Sequence, residues 1–222
     1  LSEIMLVRGY AGTGKTTLGS KILSLLLHQD RSLSVALAAP TGKAARRQGR
    51  RHSRTARLFD LPDEIKASIS GKASTIHRLL GIMPSRSKPR FNEENLLPYD
   101  VIVIDEASMV DLALMTRLVQ AVKPSARLIL LGDKNQLASV QAGHVLGDIC
   151  DTGAVHEYSQ ELAGDTKEMI GYELDAGESS GMQDSVIELW RTYRFSEGSG
   201  IYQLSRCVNE GNVSACMDII ES

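Results

Sequence analysis

Cysteine is scarce in this chain. Its three residues, Cys150, Cys207 and Cys216, are odd in number and never fall in a Cys-x-x-Cys spacing. That argues against a disulfide-built scaffold and a structural zinc site, and it reads as reduced thiols in a cytoplasmic protein. Long apolar runs are missing too. None approaches the roughly 20 residues that a membrane span requires, and nothing at the amino end resembles a signal peptide. No internal repeat is visible. What remains is ordinary for a globular protein: 222 residues, 42% apolar and 23% charged. That suffices for one large domain, or for one domain with part of a second.

The net charge of −2 conceals an asymmetry. Residues 1–150 hold 21 Lys and Arg against 13 Asp and Glu, whereas residues 151–222 hold 4 against 14. A basic part beside an acidic one fits a polyanion ligand on the first and a different task, such as protein contact, on the second. The basic charge peaks over residues 43–57, where Lys43, Arg46, Arg47, Arg50, Arg51, Arg54 and Arg57 occur with no acid. Nucleic-acid phosphates are the natural partner of such a patch, although a solvated helix face would have the same composition.

The stretch with the clearest chemistry is Gly9-Tyr10-Ala11-Gly12-Thr13-Gly14-Lys15-Thr16, a phosphate-loop pattern matched at every fixed position. The apolar run Ile4-Met5-Leu6-Val7 ahead of it suits a buried strand, and Leu18, Ile22, Leu25 and Leu26 behind it recur at helical spacing. Glycines let consecutive N–H groups face a phosphate, and the helix start adds partial positive charge. Gly9, Gly12, Thr13, Gly14, Lys15, Thr16 and Thr17 are therefore the nucleotide-binding candidates. Lys15 is expected to reach the β- and γ-phosphates, and the Thr16 hydroxyl to ligate Mg²⁺.

Strands and helices alternate beyond this point. Ser34–Ala39 reads as a second strand that ends at Pro40, with Thr41-Gly42 opening the next helix. Residues 73–81 read as a short helix capped by Ser74 or Thr75 and stopped by Gly81. Residues 82–98 break the rhythm and hold three prolines, with a small hairpin expected around Phe91–Leu96. Val101–Ile104 is a third strand, Leu112–Val122 a helix and Leu128–Leu131 a fourth strand. Such alternation predicts an α/β fold with a mostly parallel sheet and a site on its carboxyl edge. Residues 151–185 are acidic and poorly periodic, and a new pattern begins at Val186.

The third strand runs into Asp105-Glu106. There Asp105 can hold Mg²⁺ and Glu106 can orient and deprotonate the attacking water. Gln136, after the next strand, is placed to contact the γ-phosphate. Arg194 is a candidate for the cation that neutralises the transferring phosphoryl group, where spacing alone favours an ordinary surface arginine.

Taken in order, six tracts carry a resemblance. They are residues 9–17, Ala-Pro-Thr-Gly-Lys-Ala-Ala-Arg (39–46), Ser-Thr-Ile-His-Arg-Leu-Leu-Gly (74–81), Ile-Asp-Glu-Ala-Ser-Met (104–109), Leu-Gly-Asp-Lys-Asn-Gln-Leu-Ala-Ser-Val (131–140) and Tyr-Arg-Phe (193–195). Their order and spacing resemble motifs I, Ia, Ib, II, III and IV of superfamily 1B DNA helicases, and within them the RecD family, alpha subunits of exodeoxyribonuclease V. Residues 136–150 and 193–201 are its most specific stretches, and the resemblance covers essentially the whole chain.

It implies an ATP- and Mg²⁺-dependent motor with a RecA-like P-loop domain over residues 1–155, in which residues 82–98 form a small inserted segment. It further implies an acidic linker over 156–185 and the start of a second RecA-like domain over 186–222. ATP would bind between the two domains, and single-stranded DNA would cross both, touching Pro40, Thr41, Lys43, Thr75 and His77. Movement 5′ to 3′ from DNA ends, and assembly with RecB-like and RecC-like subunits for the repair of double-strand breaks, are implied in the same way. No acidic cluster with two-metal spacing occurs outside the motifs, so nuclease chemistry is expected in a partner. Two other readings stay open: a different loop ATPase, such as a clamp loader or small-molecule kinase, and an interaction subunit with a vestigial site.

The chain opens almost at once on a core strand, and motifs V and VI of the family are absent, so a fragment is expected. Alone, it is expected to bind nucleotide weakly and to turn over slowly or not at all. A hydrolysis assay with and without single-stranded DNA checks this, and robust DNA-stimulated turnover by the isolated chain would contradict it.

Overall fold

The computed structural model describes residues 3–10, 12–58, 73–85, 88–133, 145–150, 157–177, 182–189, 191–193, 199–209 and 211–221. The first elements are β1 (Glu3–Gly9), α1 (Lys15–Gln29), β2 (Val35–Ala39), α2 (Gly42–Leu58), β3 (Ser74–Thr75) and α3 (Ile76–Leu79). Next come β4 (Val101–Ile104), a 3-10 turn (Ala107–Met109), α4 (Leu112–Ala121) and β5 (Arg127–Gly132). They are followed by α5 (Val145–Cys150), α6 (Gln160–Ile170), a second 3-10 turn (Gln183–Ser185), β6 (Val186–Leu189), α7 (Gly200–Asn209) and α8 (Val213–Glu221). The six strands form one sheet in the order β3-β2-β4-β5-β1-β6. Every neighbouring pair is parallel, as the sequence predicts.

Successive side chains of a strand point to opposite faces, so a strand covered on both sides reads as continuously apolar. β4 shows the division: Ile102 and Ile104 join Leu6, Ala36, Leu128 and Leu130 beneath Leu114 and Leu118 of α4. Val101 and Val103 face the other way, joining Val7, Leu37, Ile129 and Leu131 beneath Leu23 and Leu27 of α1. Each fully buried leucine adds roughly 1.5–3 kcal/mol of hydrophobic stabilisation. α2 packs beside α1, with Ala45 and Gln48 turned inward and Lys43, Arg46, Arg47 and Arg50 exposed. Gln48 is fully buried, and its Nε2 donates to the Val103 carbonyl at 3.4 Å.

Local signals act where expected. Thr75 Oγ1 accepts from Arg78 N at 3.2 Å and caps α3, which ends before Gly81 in the left-handed region, φ 64°. Thr41 Oγ1 accepts from Ala44 N at 3.2 Å at the start of α2. Asn92 and Asn95 exchange backbone hydrogen bonds of 3.0 and 3.1 Å in an antiparallel bridge, a minimal hairpin.

The carboxyl-terminal part departs from expectation. Val186–Leu189, placed by the sequence at the start of a second domain, pairs in parallel with Leu6–Gly9 and extends the first sheet. The 156–185 stretch carries a helix, α6, capped by Ser159 Oγ, which accepts from Leu162 N at 3.1 Å. Among the described residues, no helix is long and apolar enough to cross a membrane.

The amino edge of the sheet is fastened by Asp100. Its carboxylate accepts from Ser34 N at 2.8 Å and Ser34 Oγ at 2.6 Å, and pairs with Lys123 Nζ at 2.6 Å. The Asp100 carbonyl accepts from Arg127 N, which joins the starts of β2, β4 and β5. Lys123, then Ser34, hold the carboxyl far below the ordinary carboxylate range. A depressed carboxylate contributes stability that is present above pH of about 4 and lost as pH falls below it. The group is partly exposed, so screening limits the effect: Asp100→Asn is expected to cost about 1 kcal/mol at neutral pH. Urea titrations at pH 7 and pH 3 check this, and the gap between variant and parent narrows in acid.

Candidate functional site

The carboxyl edge gathers the chemistry. β1 ends at Gly9, and the chain curls through Gly12 (φ 87°) and Gly14 (φ 92°), both in the left-handed region that a side chain resists. Gly14 is the N-cap of α1, and no side chain caps that helix end. α3, α4 and α6 are instead capped by Thr75, Asp111 and Ser159. The first-turn amides of α1 thus present donors and the positive end of a 15-residue helix to the loop interior. Lys15 Nζ donates to the Gly9 carbonyl and to the Tyr10 carbonyl, the latter at 2.9 Å. Those acceptors hold the ammonium inside the loop, the position from which it can meet a phosphate oxygen.

β5 lies between β1 and β4 in the sheet, yet the two chemical strands meet above it. Thr16 Oγ1 lies 3.5 Å from Asp105 Oδ2 across that gap. Asp105 is buried, and its Oδ1 accepts from Glu106 N at 2.9 Å. Its own N–H donates to the Ala38 carbonyl of β2. Glu106 adopts φ 55°, ψ 39°, the one non-glycine residue with positive φ among those described. Such a backbone costs about 1–2 kcal/mol and turns the Glu106 side chain away from the direction a continued strand would give it. The Thr16 hydroxyl and the Asp105 carboxylate therefore stand together, one residue on from Lys15, and a hydroxyl plus a carboxylate is a donor set suited to Mg²⁺. Thr17 follows on the exposed side of the first turn of α1.

Two further tracts adjoin. β2 and β3 are neighbours with Ala39 opposite Thr75, so Pro40, Thr41 and Lys43 lie beside Thr75 and His77. Lys43 and His77 are exposed, whereas Thr75 is half-buried in its cap. Gln136 and Arg194 lie outside the described residues.

Sequence reasoning missed how tightly β6 closes on the loop. A Cβ on Gly9 would meet Thr13 Oγ1 at 2.7 Å and the Leu189 carbonyl at 2.8 Å. Thr13 Oγ1 donates to the Tyr10 carbonyl at 2.9 Å, and Tyr193 N donates to the Gly12 carbonyl at 2.9 Å. Only the Gly9 match in the motif pointed to this contact.

Fold and site together define a RecA-like phosphate-loop domain. The chain belongs to the AAA domain family, which matches residues 1–142. It is 37% identical to the RecBCD enzyme subunit RecD of Haemophilus influenzae over 99% of its own length and 35% of that protein. It is 41% identical to the ATP-dependent RecD2 DNA helicase of Deinococcus radiodurans over 64% of its length and 17% of that protein. The crystal structure of Pif1 helicase from Candida albicans covers 97% of the chain with a TM-score of 0.53 at 22% identity, a likeness of fold that takes in 43% of that chain. The chain thus spans about a third of the length of the RecD relative.

Gly9→Ala places a methyl group against backbone and is expected to cost about 1–3 kcal/mol of stability. Equilibrium urea unfolding checks this, and Gly164→Ala, where nothing lies within 4 Å of a new Cβ, serves as the neutral comparison.

Proposed function

We propose that this chain is the nucleotide-hydrolysing part of an ATP-dependent DNA helicase subunit of the RecD kind. In this reading it moves 5′ to 3′ on single-stranded DNA and works from DNA ends with RecB-like and RecC-like subunits of exodeoxyribonuclease V. The observation that carries the reading is the uncapped start of α1 behind two left-handed glycines, with Thr16 Oγ1 3.5 Å from a buried Asp105. An anion belongs at such a helix end. Kinship with RecD subunits over nearly the whole chain supports the motor assignment.

In this reading the loop amides and Gly9, Gly12, Thr13, Gly14 and Thr17 surround the triphosphate. Lys15 exchanges the Gly9 and Tyr10 carbonyls for β- and γ-phosphate oxygens. Thr16 and Asp105 hold Mg²⁺, which supplies neutralising charge on the phosphates. Glu106, turned by its left-handed backbone, accepts the proton of the attacking water. Gln136 reports the γ-phosphate, and Arg194 neutralises charge on the transferring group. DNA phosphates lie along Pro40, Thr41, Lys43, Thr75 and His77, with the exposed Arg46, Arg47 and Arg50 of α2 extending the basic surface. Residues 1–155 together with β6 make the first motor domain, and the second begins beyond β6. The acidic 156–185 stretch faces the partner subunits, and the whole acts in the cytoplasm.

The test is ATP hydrolysis by the full-length protein with and without a single-stranded oligonucleotide. DNA stimulation is expected, with Lys15→Ala lowering turnover by on the order of 10²-fold or more. A requirement for RecB-like and RecC-like chains would mark a motor that works only in its complex. Hydrolysis indifferent to DNA in every arm would overturn the motor assignment.

A further inference from the structure

A buried ion pair lies one residue below the phosphate loop. Arg8 and Glu188 stand opposite each other in the β1–β6 register, and Arg8 Nη2 meets Glu188 Oε2 at 2.5 Å. Their side chains are 10% and 7% exposed, so solvent screens the pair little. The Tyr158 phenol is near enough to feel both charges, and burial is the main cause of its raised pKa. The chemistry outlined above assigns neither charged group a role.

Their place in the chain says what they do. Arg8 immediately precedes Gly9, the first residue of the loop. Glu188 immediately precedes Leu189, whose carbonyl would lie 2.8 Å from a Cβ on Gly9. Four residues on, Tyr193 N donates to the Gly12 carbonyl at 2.9 Å. A β6 of four residues has few ladder bonds to hold its register, and a slip by one residue would reverse every side chain. A slip would also separate the two buried charges that this register places opposite each other, a costly change that favours the register seen.

We infer that Arg8 and Glu188 are positioning residues of the nucleotide site: the pair locks β6 against β1 so that Leu189 and Tyr193 brace the phosphate loop in its open, left-handed form. The inference rests on the nucleotide-binding reading of that loop. On its other side β1 pairs with β5, with a register that ends at Arg8 opposite Gly132.

The experiment compares Glu188→Gln with the charge-swapped double variant Arg8→Glu/Glu188→Arg in the full-length protein. Leu118→Ala, remote in the α4 layer, serves as a control for lost stability. Two quantities are read: amide exchange at Tyr193 without nucleotide, and equilibrium affinity for a fluorescent ATP analogue. Glu188→Gln is expected to speed Tyr193 exchange and weaken the analogue about tenfold. The swap restores both, and Leu118→Ala lowers the melting temperature without changing either. Unchanged Tyr193 exchange in cooperatively folded Glu188→Gln would overturn the inference, because the pair would then be a plain sheet contact. A parent protein that binds no analogue while its Tyr193 exchange still responds would overturn the nucleotide reading and leave the brace standing.

Discussion

A parallel strand can be followed only by a crossover, so all the strands of this sheet deliver their carboxyl ends to one edge. That constraint organises the molecule. β1 brings the glycine loop to the edge, β4 brings Asp105 and Glu106, and β2 and β3 bring two polar tracts that stand side by side through the Ala39–Thr75 pairing. Among the described residues, the opposite edge is used for fastening. There Asp100 ties the beginnings of three strands with one carboxylate and one carbonyl.

The site is then shaped by what its helices lack. A helix start without a side-chain cap leaves amide donors that must find another partner. α3, α4 and α6 satisfy theirs with Thr75, Asp111 and Ser159, which are ordinary structural solutions. α1 does not, and its N-cap is a glycine in the left-handed region. Its first turn also carries no acidic side chain that could substitute for an anion. The left-handed backbone at Glu106 is a second local departure at the same edge, at a cost of about 1–2 kcal/mol. Stability is thus concentrated in the two apolar layers and the amino-edge clamp, and the carboxyl edge carries a helix start without a side-chain cap and a left-handed Glu106.

Much of this was legible in the chain because it is written in short range. The phosphate-loop pattern occupies eight consecutive residues. The runs Leu6–Val7 and Val101–Ile104 are apolar at every position because both sheet faces are covered, and Thr75 precedes its helix by one residue. The buried side of α2 was less legible: cations such as Lys43, Arg46, Arg47 and Arg50 announce an exposed face, while Gln48 on the inward face looks like one more polar residue.

The sequence by itself determined the loop, the alternation of strand and helix, and the carboxylates after β4, because each depends on neighbours within a turn or a strand. Only the tertiary structure decided that Val186–Leu189 joins the first sheet, that Arg8 meets a glutamate 180 positions away, and that Tyr193 bonds Gly12. The physical reason is distance along the chain. A four-residue strand such as Val186–Leu189 looks the same whether it opens a new domain or closes an old sheet, and the hydrogen bonds that choose between them come from a strand folded at the other end.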